Sequence, residues 1–217
     1  MQKEETIREL MDTRIIAIIR GFAPETCLRL ADSYLKGGIR FVEVTFSQKT
    51  PDTWRDTAEA IKSIKARFGA DLHVGAGTVL TEEQLKLCAE AGGEYMIAPN
   101  VDVGLIRSCA ARGMIAMPGA MTPTEAVLAW NAGAEFVKIF PAGALGPGYI
   151  KALRAPLSQI PFLAVGGISP ENVADFMRAG CVGAGVGGKL TNKEWIESGA
   201  WDKITAIARQ FVENSKV

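Results

Sequence analysis

Arg14-Ile15-Ile16-Ala17-Ile18-Ile19-Arg20 is an almost unbroken apolar run, closed by an arginine and Gly21. A strand with one wet face alternates apolar and polar residues. A parallel strand covered by helices on both faces does not alternate. The run therefore predicts a buried parallel strand. The chain beyond it has the form such a strand requires. Pro24 opens a helix over residues 24–36, and Gly37-Gly38 stops it. Residues 39–46 form a second strand, and Pro51 opens a helix over 51–68. A third strand ends in His73-Val74-Gly75-Ala76-Gly77-Thr78. Thr81-Glu82-Glu83-Gln84 caps the next helix: the hydroxyl takes an orphan backbone N–H, and Gln84 reaches back.

The same beat continues to the end. Strands are expected at 95–99, 114–117, 135–141, 162–165 and 181–186. Helices are expected at 101–112, at 122–131 behind Thr122-Pro123-Thr124-Glu125, and at 147–157. Two more follow, at 169–179 behind Ser169-Pro170-Glu171-Asn172 and at 201–213. Eight strands, each followed by a helix, mean parallel strands with helical crossovers. The regularity favours a closed (β/α)₈ TIM barrel over an open doubly wound sheet. Residues 2–12 add an N-terminal amphipathic helix with Ile7, Leu10 and Met11 on one face. No composition break marks a second domain, so residues 1–217 read as one barrel domain of the α/β class.

Composition excludes several partners. Lys+Arg and Asp+Glu both number 24, so no bulk field draws the chain to nucleic acid or to an anionic membrane. No apolar run reaches membrane-spanning length, and the start carries no signal-peptide core. Cys27, Cys88, Cys109 and Cys181 are far apart and form no CxxC pair. They read as reduced thiols of a cytoplasmic protein. The one histidine, His73, is too few for the usual zinc sets, and no metal or other cofactor is expected. It reads as a partly buried bystander. The four tryptophans read as packing residues.

Two residues break the apolar pattern. Lys138 lies inside Glu135-Phe136-Val137-Lys138-Ile139-Phe140-Pro141. Lysine is rarely buried without a partner or a task. At its ordinary pKa of about 10.4, only roughly one lysine in 2,500 is neutral at pH 7. Burial lowers that pKa and frees the amine that attacks a carbonyl to form a Schiff base. Glu43 is set among Phe41, Val42 and Val44, and alternation puts Glu43, Thr45 and Ser47 on one face. A buried ion pair with Lys138 would be costly for stability alone, so a functional pair with Glu43 as general base is favoured.

Barrel active sites lie at the C-terminal ends of the strands. That rule adds Arg20, Thr78, Pro99-Asn100 and Phe140. Arg20 reads either as a clamp for a substrate carboxylate or as a rim arginine paired to a neighbour. Thr78 either donates its hydroxyl to the same carboxylate or merely precedes a helix. Gly166-Gly167 and Gly187-Gly188 end the last two strands, where barrels often bind phosphate on backbone N–H groups. Lys189 beside them either adds a charge or is simply solvated.

The motifs together resemble a known family. They are Glu43-Val44-Thr45, Gly75-Ala76-Gly77-Thr78-Val79-Leu80, Ala98-Pro99-Asn100, Pro118-Gly119, Met121-Thr122-Pro123-Thr124-Glu125, Lys138-Ile139-Phe140-Pro141 and Gly166-Gly167-Ile168. In order, they resemble the KDPG/KHG aldolases (2-keto-3-deoxy-6-phosphogluconate / 4-hydroxy-2-oxoglutarate aldolases) over residues 14–190. The resemblance implies a class I, metal-independent aldehyde-lyase and a homotrimer. It implies cleavage of 2-keto-3-deoxy-6-phosphogluconate to pyruvate and glyceraldehyde 3-phosphate, or of 4-hydroxy-2-oxoglutarate to pyruvate and glyoxylate. It makes Lys138 the Schiff-base lysine, Glu43 the acid/base, and Arg20 and Thr78 the ligands of the pyruvate carboxylate. Pro99 and Phe140 become pocket walls; Gly166, Gly167, Gly187 and Gly188 become the phosphate cradle. Some members carry an arginine where this chain has Ser47, and a serine where it has Gly188. The use of Arg20 instead, and the stretch Ala144-Leu145-Gly146-Pro147-Gly148-Tyr149-Ile150-Lys151-Ala152-Leu153, resemble the phosphogalactonate branch.

Two rival functions stay open from the residues alone. A metal-dependent lyase would need carboxylates converging at the barrel mouth, where Glu43 stands by itself. A barrel that only binds a sugar phosphate would need no neutral lysine.

Overall fold

The apolar run becomes strand β1, Ile15–Ile19, with every side chain buried. A computed structural model describes residues 2–217; Met1 of the expected domain lies outside the described residues. β1 lies between β2 (Phe41–Thr45) and β9 (Gly183–Val186), parallel to both. The strands between them are β3 (His73–Gly77), β4 (Tyr95–Ile97), β5 (Ile115–Met117), β6 (Gly119–Ala120), β7 (Val137–Ile139) and β8 (Phe162–Val165). Their order is β5-β4-β3-β2-β1-β9-β8-β7-β6.

The two ends of that order are one strand interrupted at Pro118. Proline has no N–H to give a ladder. β5 therefore pairs with β4, and β6 pairs with β7. The Pro118 carbonyl still accepts from Lys138 N at 2.9 Å, and the Ala116 carbonyl accepts from Glu135 N at 3.2 Å. Eight parallel strands thus close into the expected barrel.

Among the described residues there are ten α-helices: α1 (Gln2–Thr13), α2 (Pro24–Lys36), α3 (Trp54–Phe68), α4 (Glu82–Glu90), α5 (Val103–Ala111), α6 (Pro123–Asn131), α7 (Ala142–Arg154), α8 (Val173–Arg178), α9 (Lys193–Glu197) and α10 (Trp201–Asn214). Several helix expectations need correction, and the one set to open at Pro51 begins with a 3₁₀ turn, Pro51–Thr53, before α3. α7 starts at Ala142, not Pro147, because a kink at Gly146 (φ 78°, ψ 164°) joins two helical segments. Ser169-Pro170-Glu171-Asn172 is a turn in which Asn172 Oδ1 accepts from Ser169 N at 2.8 Å, so α8 is short. α9 was not foreseen; it is one short turn capped by Asn192.

Period-two alternation divides the apolar residues into two cores. Residues such as Ala17, Val42, Val44 and Ala164 point outward to the helices. Ile16, Ile18, Phe41, Tyr95, Ile97, Ile115, Met117, Phe136, Leu163 and Val165 fill the barrel. Leu10 of α1 joins this inner core and is fully buried. Burying a leucine stabilises by about 1.5–3 kcal/mol. α1 is therefore a plug in the N-terminal end of the barrel, and it forces the chemistry to the opposite end. Of the expected apolar face, Ile7 is half-buried and Met11 is left exposed.

His73 is partly buried, as expected, and has a structural part at this end of the barrel. It stacks on Phe41 and joins the plug to the barrel. Its Nε2 lies 3.0 Å from Glu9 Oε2 of α1, and its Nδ1 lies 2.6 Å from Glu94 Oε2. Lys65 Nζ holds the other Glu94 oxygen at 2.6 Å. Burial lowers the His73 pKa, but the hydrogen bonds and charges of Glu94 and Glu9 outweigh it and raise the net value above 6.5. For Glu94, burial raises the pKa, but His73 and Lys65 bring the net value below 4.5. A raised histidine stabilises below its unfolded pKa and ceases to do so as pH rises through the folded value. A lowered carboxylate stabilises above its unfolded pKa and ceases to do so as pH falls through the folded value. The cluster thus contributes most between pH 4.5 and 6.5. Thermal melts across pH will show the largest wild-type advantage over His73→Asn in that window, narrowing as the solution becomes alkaline. An advantage independent of pH would contradict the charged-histidine account.

Candidate active site

Lys138 is the middle residue of β7, with Gly119 on one neighbouring strand and Leu163 on the other. Glu43 is the middle residue of β2, between Ile18 and Gly75. They are 7% and 2% exposed. Both face inward above the apolar fill of the barrel, and both line one cavity of about 580 Å³ at its C-terminal mouth. Arg20, Thr78, Pro99, Phe140, Gly166, Gly167, Gly187 and Gly188 line the same cavity. These ten residues are therefore brought together. Asn100 is not part of the lining; its carbonyl accepts from Gly119 N at 3.2 Å. Thr45 is buried and donates to the Ile19 carbonyl at 3.3 Å.

Glycine makes the room for Glu43. A Cβ on Gly77 would lie 2.1 Å from Glu43 Oε1, and one on Gly75 would lie 2.3 Å from the Tyr95 ring. β3 passes beneath both side chains at a distance that only glycine permits. Tyr95 in turn donates its hydroxyl to the Val42 carbonyl, beside Glu43.

Neither charged group has a hydrogen-bond partner that accounts for its pKa; only burial and through-space charges act. No buried polar side-chain atom among the described residues is sealed without a partner. The two polar ends therefore open on the cavity. Burial raises the Glu43 pKa, against the pull of Lys138 and Arg20. Burial lowers the Lys138 pKa, with help from Arg20 and against Glu43. Each shift makes the neutral form more available, so a proton can pass between substrate and Glu43 while the Lys138 amine attacks. The Lys138 ammonium position lies 4.9 Å from the Phe140 ring centroid, which sets the ring as a wall of the cavity.

Arg20 Nη2 donates to Thr78 Oγ1 at 3.4 Å. The rim-arginine alternative is thereby reduced: the partner is the other carboxylate-ligand candidate, not an acidic neighbour. Thr78 has a positive φ of 54°. A β-branched residue held there costs about 1–2 kcal/mol, which the surrounding contacts must offset.

Across the mouth, Gly166 and Gly167 have φ of 87° and 76°. The Gly166 carbonyl is turned away to accept from Gly143 N at 2.7 Å. The N–H groups of Gly167, Ile168 and Gly188 donate to no backbone group, and these residues line the cavity. Loop residues and not a helix end line this part of the cavity, because α8 begins only at Val173. Ile18, Val165, Ile168, Ser169 and Gly185, none of them a site candidate from the sequence, complete the walls. Their apolar or turn character carries no chemical signal. Among the described residues, no three His, Cys, Asp or Glu side chains converge to hold a metal ion.

The family model "KDPG and KHG aldolase" matches residues 6–207. The chain belongs to the KDPG and KHG aldolase family. It is an aldolase, a lyase. It is 41% identical to the 2-dehydro-3-deoxy-6-phosphogalactonate aldolase of Escherichia coli K12 over 177 residues, 81% of this chain and 83% of that one. It is 34% identical to the KHG/KDPG aldolase of the same organism over 196 residues, 89% and 88% of the two chains. It is also similar to KDPG aldolase from Legionella pneumophila with pyruvate captured as a covalent carbinolamine intermediate. That TM-score is 0.82 at 25% identity, covering 94% of this chain and 96% of the other.

The closeness of Gly77 to Glu43 makes a direct test. Gly77→Ala will displace the Glu43 carboxyl by about an ångström and lower kcat/KM for aldol cleavage by about 100-fold. The stability cost will be about 1–3 kcal/mol, as for other overpacked sites. Steady-state pyruvate release and a urea melt measure the two effects; full activity would show that Glu43 has no fixed place in the reaction.

Proposed function

We propose that this aldolase cleaves 2-keto-3-deoxy-6-phospho sugar acids to pyruvate and glyceraldehyde 3-phosphate through a Schiff base on Lys138. The observation that carries the proposal is the meeting of a buried lysine of lowered pKa and a buried glutamate of raised pKa at the barrel mouth. Neutral Lys138 attacks the C2 ketone. Glu43, directly or through a water, protonates the oxygen that leaves, and the iminium forms. The positive nitrogen draws electrons from the C3–C4 bond. Glu43, now ionised, takes the C4 hydroxyl proton as that bond breaks and the aldehyde departs. The enamine is protonated at C3, and hydrolysis releases pyruvate and Lys138.

Arg20 and Thr78 are assigned to the substrate carboxylate. They stand together at 3.4 Å, and the planar guanidinium fork suits a carboxylate. The unpaired amides of Gly167, Ile168 and Gly188 are assigned to the phosphate, with Lys189 adding charge at the edge. Pro99 and Phe140 wall the space between. The C4 epimers phosphogluconate and phosphogalactonate give the same two products, so either 2-keto-3-deoxy acid suits this chemistry. The 41% identity to a phosphogalactonate aldolase favours the galacto epimer as the better substrate. 4-Hydroxy-2-oxoglutarate, cleaved to pyruvate and glyoxylate, would use the lysine and glutamate without the phosphate amides. A homotrimer is proposed on the family resemblance, and a cytoplasmic setting on the four free, buried cysteines. No helix among the described residues is long and apolar enough to cross a membrane.

Borohydride added with pyruvate will fix the ligand to Lys138, found by peptide mass mapping; an unmodified Lys138 would exclude the mechanism. Glu43→Gln will lower kcat by about 10²–10⁴-fold while the pyruvate concentration for half-maximal trapping changes little. A normal turnover number in that variant would remove Glu43 from the proton transfers.

A further inference from the structure

Thr78 carries a β-branched side chain at φ 54°, beside Arg20, with no glycine to make that conformation easy. Something outside the cavity must hold it there. Gln48 Nε2 donates to the Thr78 carbonyl at 2.9 Å. Gln84 Nε2 donates to Gln48 Oε1 at 3.3 Å. Gln84 Oε1 accepts from Leu80 N at 2.7 Å, and Gln84 itself is fully buried at the start of α4. The expected capping box is thus only half present. Thr81 Oγ1 accepts from Gln84 N at 3.2 Å, but the Gln84 amide reaches past the cap to Leu80 and leaves its NH₂ free for Gln48.

The polarity of this chain is set at both ends by the backbone. Leu80 supplies an N–H, so the Gln84 oxygen must face it. Thr78 supplies a C=O, so the Gln48 nitrogen must face it. A flipped amide at either glutamine would place two acceptors or two donors together.

We propose that Gln48 and Gln84 are positioning residues that hold Thr78 in its left-handed conformation, and so aim the Thr78 hydroxyl and Arg20 at the substrate carboxylate. Neither amide lines the lysine cavity; Gln48 lines an adjoining cavity with Arg20 and Thr78, and its Nε2 is bound to the Thr78 carbonyl, so it acts through Thr78. The relay links the β2–α3 loop to the β3–α4 loop, beyond the Phe46 N to Gly77 carbonyl bond of 2.9 Å at their base. It makes the carboxylate clamp depend on hydrogen bonds outside it, while leaving Lys138 and Glu43 on their own strands.

The inference rests on the Schiff-base reading, and the test separates the two. Gln48 is exposed, so Gln48→Met keeps the length of the side chain and removes the amide with little effect on folding. Borohydride trapping is measured with pyruvate and, in parallel, with acetone, a ketone that has no carboxylate. In wild type, pyruvate will label Lys138 at far lower concentration than acetone. In Gln48→Met, the concentration of pyruvate for half-maximal trapping will rise about fivefold, the size expected for one lost hydrogen bond. Acetone trapping will stay within a factor of two. Gln84→Met will show the same selective change. An unaltered pyruvate-to-acetone ratio in Gln48→Met, or an equal loss for both ketones, would overturn the relay. Failure of the wild type to be labelled by pyruvate would overturn the Schiff-base reading and the relay with it, before any substitution is made.

Discussion

The constraint on which the site depends is the burial of two opposite ionisable groups in one wall-bound space. Lys138 and Glu43 sit on strands that do not neighbour each other, yet both point inward at the same end of the barrel. Water is largely withheld from both. Desolvation then works on them in opposite senses and narrows the gap between their pKa values. A bare buried ion pair would waste that effect, because each charge would stabilise the other. Here both polar ends open on the cavity, so a substrate can come between them.

The rest of the fold serves that placement. The inner apolar core and the α1 plug close the opposite end of the barrel. Gly75 and Gly77 let β3 pass under Tyr95 and Glu43, so a carboxyl can be stored where a larger residue would exclude it. Pro118 interrupts one strand, but its carbonyl still holds the backbone of Lys138. The mouth beside Gly166 and Gly167 is built from backbone, and both glycines hold a positive φ. The side with Arg20 and Thr78 is built from side chains, and there a β-branched residue holds a positive φ.

Much of this was legible in the residues. Continuous apolar runs such as Ile15–Ile19 and a steady strand–helix beat led to a parallel barrel. A lysine and a glutamate in runs of that kind stand out because burial makes them expensive. Less was legible where local signals compete. Pro147 has the form of a helix start, but Ala142 begins α7 because Gly146 can carry a kink. Ser169-Pro170 has the form of a cap, but Asn172 uses its side chain to close a turn first. His73 carried no neighbouring signal, since Glu9 and Glu94 are distant in the chain and meet it only when α1 docks.

Gln48 and Gln84 show the same limit at the site itself. A glutamine near a helix start is ordinary, and one in a polar loop is more so. Their relation to Thr78 exists only through two loops brought side by side. The amino-acid sequence alone determined the periodicities, the strand ends and the identity of the two anomalous charges, because these follow from local patterning and from the cost of burying charge. Only the tertiary structure decided which polar groups share a cavity, which way each amide points and why Thr78 tolerates a glycine's conformation. Those outcomes depend on contacts between segments far apart in the chain, and no short-range pattern specifies them.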